Sequence, residues 1–255
     1  MDTQQQKKFK ILLIGDVCVD EYQYGTVERI SPEAPVPVFK LSHTESKPGM
    51  AGNVRKNLET LGLEVTLVSG EKSTKTRLID LKSKQQIVRI DNDVIVDEGI
   101  PITAFAPELF NVDAIVISDY NKGLVSYTLV EHLAKIFKGP IFVDTKKPDL
   151  ARFNGCYVKI NETDFKNRTS INDRLIVTMG DRGAMFKIGS YEQTYIAPKI
   201  EISDATGAGD TFLAALVYQY LMTKDVEDSI KFAIRAATVT VQHMGVYAPK
   251  LAEIE

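Results

Sequence analysis

Six short apolar runs, spaced along the chain with helix-like segments between several of them, constrain the fold most. They are Phe9–Gly15, Glu64–Ser69, Asp113–Ser118, Pro140–Val143, Tyr157–Ile160 and Arg174–Thr178. Each is too short for a buried helix, and most lack the apolar–polar alternation of a half-exposed strand. They read as strands buried on both faces, the habit of parallel sheets. Residues 47–61, 128–137, 213–217 and 226–244 carry helical spacing. Strands alternating with helices predict an α/β chain built on a doubly wound, mostly parallel sheet. A length of 255 residues, with 44% hydrophobic and 25% charged side chains, suits one large domain spanning 1–255. Ligands of such sheets sit at the carboxyl ends of the strands. Asp16, Asp119 and Lys146 fall there.

The bulk charge excludes other classes. A net charge of −3 with scattered Lys and Arg gives no nucleic-acid footprint and no membrane-attracted face. Met1–Lys10 is polar and is not expected to act as a signal peptide. No apolar run approaches a membrane span. Cys18 and Cys156 are expected to be buried thiols of a cytoplasmic protein, and His43, His132 and His243 lack metal-ligand spacing.

Asp204-Ala-Thr-Gly-Ala-Gly-Asp-Thr-Phe212 is the stretch that carries chemistry. Gly207 and Gly209 permit positive φ and close backbone approach just before a helix. The N–H groups of a helix start, together with its dipole, favour an anion in front of them. That dipole should also keep Asp210 ionised. A carboxylate beside an anion cradle suits proton acceptance from a hydroxyl that attacks a held phosphoryl group. The turn is neither a Walker loop, because no Lys-Ser/Thr follows, nor a dinucleotide fingerprint, because Phe212 replaces the third glycine.

The whole nonapeptide resembles the C-terminal signature of the ribokinase-like carbohydrate kinases. The resemblance implies that Asp210 is the catalytic base and that the amides of Gly207, Ala208 and Gly209 hold the transferred phosphate. It extends in order from Lys10 to about Glu253. Ile30–Val38, with three prolines that forbid helix and favour extended chain, is similar to the hallmark of one branch, the bacterial heptose 7-phosphate kinases. In that branch the segment belongs to a small β-flap that covers the sugar and joins two subunits. The resemblance therefore implies lid strands from about 21–46 and 73–91, a homodimer, and ATP-dependent phosphorylation of the anomeric hydroxyl of a heptose 7-phosphate-like sugar. The nucleotidyltransferase half that accompanies the kinase in this branch is expected to be absent from the chain.

Other positions follow the same resemblance. Asp16, Asp20 and Asn53 would position sugar hydroxyls, with turn or helix capping as the alternative for each. Gly49 belongs to the family's N-terminal glycine pair, whose second member is Met50 here. Arg89, with Lys75 and Arg77, offers charge to a sugar phosphate or simply forms a solvated face. Asp119–Gly123 matches the branch's Asp-Tyr-x-Lys-Gly loop near the substrate, where Lys122 either holds phosphate or is an ordinary loop lysine. Asn161 and Asp164 resemble the Asn-x-x-Glu motif that places Mg2+ and the ATP phosphates, largely through water; the aspartate is one methylene shorter. Thr178, Gly180 and Gly183 resemble the turn that lies against ATP, and read equally as a hairpin turn. Thr206, Gly207 and Gly209 join the nucleotide side. Two segments usual in the family are missing, after Gly70 and after Phe165. With Met50, they keep open a kinase of another phosphosugar or a nucleoside, or a non-catalytic relative that binds sugar or nucleotide.

Overall fold

The computed structural model describes residues 8–254, so the polar start read above lies, up to residue 7, outside the described residues. The main sheet has eight strands. They are β1 (Lys10–Gly15), β4 (Glu64–Val68), β7 (Ala114–Asp119), β8 (Ile141–Thr145), β9 (Tyr157–Asn161), β10 (Arg174–Thr178), β11 (Ala184–Ile188) and β12 (Tyr191–Tyr195). Their spatial order is β12-β11-β10-β9-β8-β7-β1-β4. The stretch from β4 to β10 is parallel, while β11 and β12 add an antiparallel edge that the sequence reading did not single out.

The apolar runs bury both faces. In β1, Ile11 and Leu13 pack under the helices α1 (Ala51–Thr60), α4 (Ala208–Thr223) and α5 (Val226–Thr240), while Leu12 and Ile14 face α2 (Tyr127–Ile136). β7 repeats the division, with Ala114 and Val116 on the first face and Ile115 and Ile117 on the second. α4 is buried over Asp210–Tyr218 without a break, as expected of a helix apolar all round.

The two shortened regions are visible. β4 leads straight into β5 (Lys72–Asp80) with no helix between them. Between β9 and β10 only α3 (Glu162–Lys166) and a short loop intervene, close to the dozen or so residues a parallel crossover requires. Even so, Ile115, Ile117, Val158, Ile160 and Leu175 are fully buried.

A second sheet stands at the carboxyl ends of β1 and β4. It contains β2 (Val17–Ile30), β3 (Pro37–Met50), β5 and β6 (Gln86–Asn92), in the order β3-β2-β5-β6. In β2 the side chains of Cys18, Asp20 and Tyr22 are buried while the odd-numbered Val19, Glu21 and Gln23 are half-buried, so one face looks inward. Two expectations are corrected here. The proline-rich segment is not extended throughout: residues 31–36 form the tip of the β2–β3 hairpin, closed by Ser31 N–H donating to Val36 O at 2.8 Å, and β3 begins at Pro37. The helix read as starting at Lys47 starts at Ala51, because residues 47–50 pair with β2 down to Met50 opposite Val17.

Candidate active site

The site is built at the start of α4. Gly207 is its N-cap at φ 81° and Asp210 lies in its first turn. A Cβ on Gly207 would stand 2.8 Å from Asn53 Nδ2, so both backbone sign and space require glycine. The first amides of a helix have no intrahelical acceptor. Ala208 N–H makes only a long contact, 3.3 Å, to Ala205 O.

Asp210 is 7% exposed and both of its oxygens are engaged. Asn53 Nδ2 donates to Oδ2 at 2.8 Å, and the Tyr120 hydroxyl donates to Oδ1 at 3.0 Å. Burial pushes its carboxyl up to about 6, against the opposing pull of the Asn53 amide, the Lys159 ammonium and the Tyr120 hydroxyl. The helix dipole is thus not the deciding influence on this aspartate: desolvation outweighs it. A value near 6 leaves the group mostly ionised at neutral pH and able to take up a proton.

On one side of this turn lies a cavity of about 710 Å³. Thr178, Gly180 and Gly183 line it together with Ala208 and Gly209, beneath an aliphatic wall that includes Ile200, Ile202 and Ile234. The Thr178–Ala184 segment takes the hairpin reading and also borders the cavity. It joins the antiparallel β10 and β11 through a 3-10 turn at Gly180–Arg182, and it forms the cavity floor. Thr206 does not line the cavity: its N–H and hydroxyl hold Asp204 Oδ1 at 2.9 and 2.7 Å.

On the other side is the inward face of the second sheet. Asp20 is buried and receives Arg77 Nη1 at 2.5 Å. Gly49 makes room for it, since a Cβ there would lie 2.1 Å from Asp20 Oδ2. Lys47 and Lys75 flank Asp20 on neighbouring strands and, among the described residues, stand within 4 Å of no carboxylate. Met50 occupies φ 55°, ψ −132°, a region favouring glycine, and its side chain is buried. Such a conformation costs on the order of 1–3 kcal/mol in a residue with a side chain.

The remaining candidates have specific partners. Asn53 is not a helix cap, Met50 holding that position, and its amide is turned to the base. Asp16 takes the capping alternative: its Oδ2 accepts the N–H groups of Tyr120 and Lys122 at 2.8 and 3.3 Å. Asp119 is 2% exposed and accepts from Thr145 Oγ1, Lys147 Nζ and Asn121 N–H, so it fastens its own loop. Lys122 is paired with Asp93, Arg89 with Asp91 on the exposed β6, and Lys146 with Asp164 at 2.6 Å. Asn161 Oδ1 caps α3 by accepting Asp164 N–H at 2.8 Å.

Sequence reasoning missed three side chains that face this centre. Lys159 is 4% exposed, bonds Asp144 Oδ2 at 2.7 Å, and would lie 2.9 Å from a Cβ on Gly209. Its signal was a lysine inside the apolar run Tyr-Val-Lys-Ile. Tyr120 was quoted only within its loop. Lys47 preceded the glycines without drawing notice. Both cysteines are free and buried, as expected, and burial pushes each thiol up to about 12.

Comparison with known proteins gives the family and the fold. The description "pfkB family carbohydrate kinase" matches residues 49–253. "Bifunctional protein HldE" of Nitratiruptor is 31% identical over 304 aligned positions, covering 97% of this chain and 64% of that protein. HldE of Hydrogenovibrio crunogenus is 30% identical, covering 100% and 64%. The chain therefore spans just under two thirds of the curated relatives it matches. Among solved structures, Thermotoga maritima ribokinase superposes with a TM-score of 0.71 at 18% identity, covering 96% of this chain and 98% of that one. Escherichia coli phosphofructokinase-2 gives 0.74 at 15%, covering 97% and 96%. These likenesses show the ribokinase-like fold. With the family match over most of its length, the chain belongs to the pfkB family of carbohydrate kinases, phosphotransferases that act on an alcohol group.

Proposed function

We propose that the chain transfers the γ-phosphoryl group of ATP to the anomeric hydroxyl of a heptose 7-phosphate-like sugar, with Asp210 as base. The observation that carries this reading is the position of Asp210. It stands at an amide-rich helix start, between a nucleotide-sized cavity and a basic sheet face. The acceptor hydroxyl gives its proton to Asp210 as its oxygen bonds the γ-phosphorus and the bond to ADP breaks. The amides of Gly207, Ala208 and Gly209, with the nearby Lys159 ammonium, offset charge on the transferred group. Lys47 and Lys75 suit an acceptor that is itself anionic, and the HldE relatives favour a heptose phosphate. The second sheet acts as a lid that excludes water.

Mg2+ fits this chain as an ion held mainly by the nucleotide. Among the described residues no group of three His, Cys, Asp or Glu side chains could hold a metal directly. Asp164, paired through one oxygen with Lys146, keeps the other for a metal-bound water, while Asn161 fixes the turn on which Asp164 stands. When bound, the ion neutralises phosphate charge.

The lid also supports a homodimer. Ile30, Leu41, Val88 and Ile90 are exposed on its strands at 60, 54, 44 and 55%, and β3 and β6 are open edges. No helix of the described residues is long and apolar enough to cross a membrane.

The test is ADP release from Mg-ATP with D-glycero-D-manno-heptose 7-phosphate, beside fructose 6-phosphate, ribose and adenosine, with Asp210→Asn as control. Turnover with the heptose phosphate, absent from the control, supports the proposal. Turnover with a different acceptor keeps the mechanism and replaces the substrate, the reading favoured by Met50, whose buried side chain stands at the second glycine of the family's pair. No turnover from a folded protein that binds ATP returns the chain to a binding role.

A further inference from the structure

Two donors hold Asp210, and they are not equivalent. Asn53 is locked: its Oδ1 accepts from Asn57 Nδ2 at 3.2 Å, Asn57 Oδ1 in turn accepts from Thr211 Oγ1 at 2.9 Å, and all three side chains are buried between α1 and α4. Tyr120 belongs to a loop. Its backbone is pinned through Asp16, and its side chain reaches the base from that loop, with the ring partly exposed and the hydroxyl turned inward to Asp210. Its hydroxyl meets Asp210 Oδ1 at 3.0 Å, the distance and donor type that an acceptor alcohol would need. The Lys75 ammonium of the second sheet lies 5.9 Å from the Tyr120 ring centre, so the ring also touches the face where an anionic acceptor would bind.

We propose that Tyr120 is a guard on the base: its hydroxyl occupies Asp210 Oδ1 in the acceptor-free chain and yields that oxygen to the acceptor hydroxyl. The inference rests on the kinase reading given above. Its consequence is suppression of wasteful hydrolysis. In hydrolysis a water oxygen would bond the γ-phosphorus, the bond from phosphorus to the ADP oxygen would break, and Asp210 would take the water's proton, giving ADP and inorganic phosphate. With Oδ1 occupied by a phenol, a water has no base to use. Burial and the neighbouring Asp210 charge push the Tyr120 phenol well above its ordinary value, so it remains a donor throughout the working pH range.

The experiment measures ADP release from Mg-ATP without any sugar, for the full chain and for Tyr120→Phe, each checked for folding by thermal melting and for Mg-ATP binding. Tyr120→Phe should raise acceptor-independent release at least tenfold, and adding Asp210→Asn should abolish the gain. Tyr120→Leu, which also removes the hydroxyl, should behave alike and serves if the Phe variant does not fold. Unchanged or lower hydrolysis in a folded, ATP-binding variant would overturn the guard, as would a gain that survives loss of Asp210. The assay needs no acceptor, so it is separable from the kinase reading. Sugar phosphorylation by the wild type with no hydrolytic gain in the variants sinks the guard alone. A wild type that binds no Mg-ATP sinks both.

Discussion

Asn53 Nδ2 and Asp210 Oδ2 meet at 2.8 Å although 157 positions separate them in sequence. The bond joins α1 to α4 and sets the orientation of the base. Asn53→Ala removes it and leaves a buried carboxylate under-bonded, which costs about 1–3 kcal/mol. It also removes a donor that holds the Asp210 pKa down. The expected outcome is a lower kcat and an acid limb displaced to higher pH. Urea melts and a pH–rate profile check it, and an unchanged acid limb would contradict the assignment.

With the Asp210 carboxyl pushed up to about 6, activity should follow its ionised form. The rate constant kcat/KM should be near its plateau at neutral pH and fall roughly tenfold per unit below about pH 5. A profile flat down to pH 4.5 would refute Asp210 as the base.

The same burial makes the base a cost to the fold. Its folded value, about 6, lies above its ordinary 3.8, so folding is favoured by protonation and the charged form is destabilising. The penalty is absent below about pH 4, grows between pH 4 and 6, and is constant above, reaching about 3 kcal/mol at 1.4 kcal/mol per pH unit. Asp210→Asn should therefore melt higher than wild type at pH 7 while losing turnover. The difference should vanish near pH 4.

Asp20 and Arg77 form a pair with side-chain exposures of 7 and 14%. Breaking a buried pair from one side leaves an uncompensated charge and costs about 3–5 kcal/mol. Arg77→Met should show a loss toward that range, reduced because the pair is not wholly dry. Asp20→Asn together with Arg77→Met should recover most of it. Chemical denaturation of the two single variants and the double variant measures the coupling.

Gly207→Ala places a Cβ at φ 81° and 2.8 Å from Asn53 Nδ2. The left-handed backbone costs about 1–2 kcal/mol, and the crowding displaces the amide that holds Asp210. A fall in kcat of at least tenfold is expected, with a smaller change in nucleotide affinity, read by steady-state kinetics and calorimetry.

Much of this molecule was legible in one dimension. The apolar runs specify strands buried on both faces, because a strand with no polar alternation has nothing to turn toward water. The glycine turn before α4 specifies its own conformation, because Gly207 alone tolerates φ 81° in that space. Asp210 follows from its place one turn into the helix. These are local properties, fixed by backbone sterics and by which side chains avoid water.

Only the tertiary structure decided what each charged group does. The sequence displays Arg77, Arg89, Lys122 and Lys146 as four available cations, yet they are paired with Asp20, Asp91, Asp93 and Asp164. Lys75, offered on the same terms, and Lys47, which drew no notice, stand clear of carboxylates on the inward sheet face among the described residues. Asp16 and Asp119 lie at strand ends, as the fold rule requires, but Asp16 accepts from the loop after β7 and Asp119 from Thr145 and Lys147 at the end of β8. Asp210 was expected to be ionised and is mostly so at neutral pH, but the upward push on its carboxyl was not legible, because desolvation depends on everything packed around the group. Charge is written in the sequence, but the distances and the exclusion of water that give it a role arise only when the chain is folded.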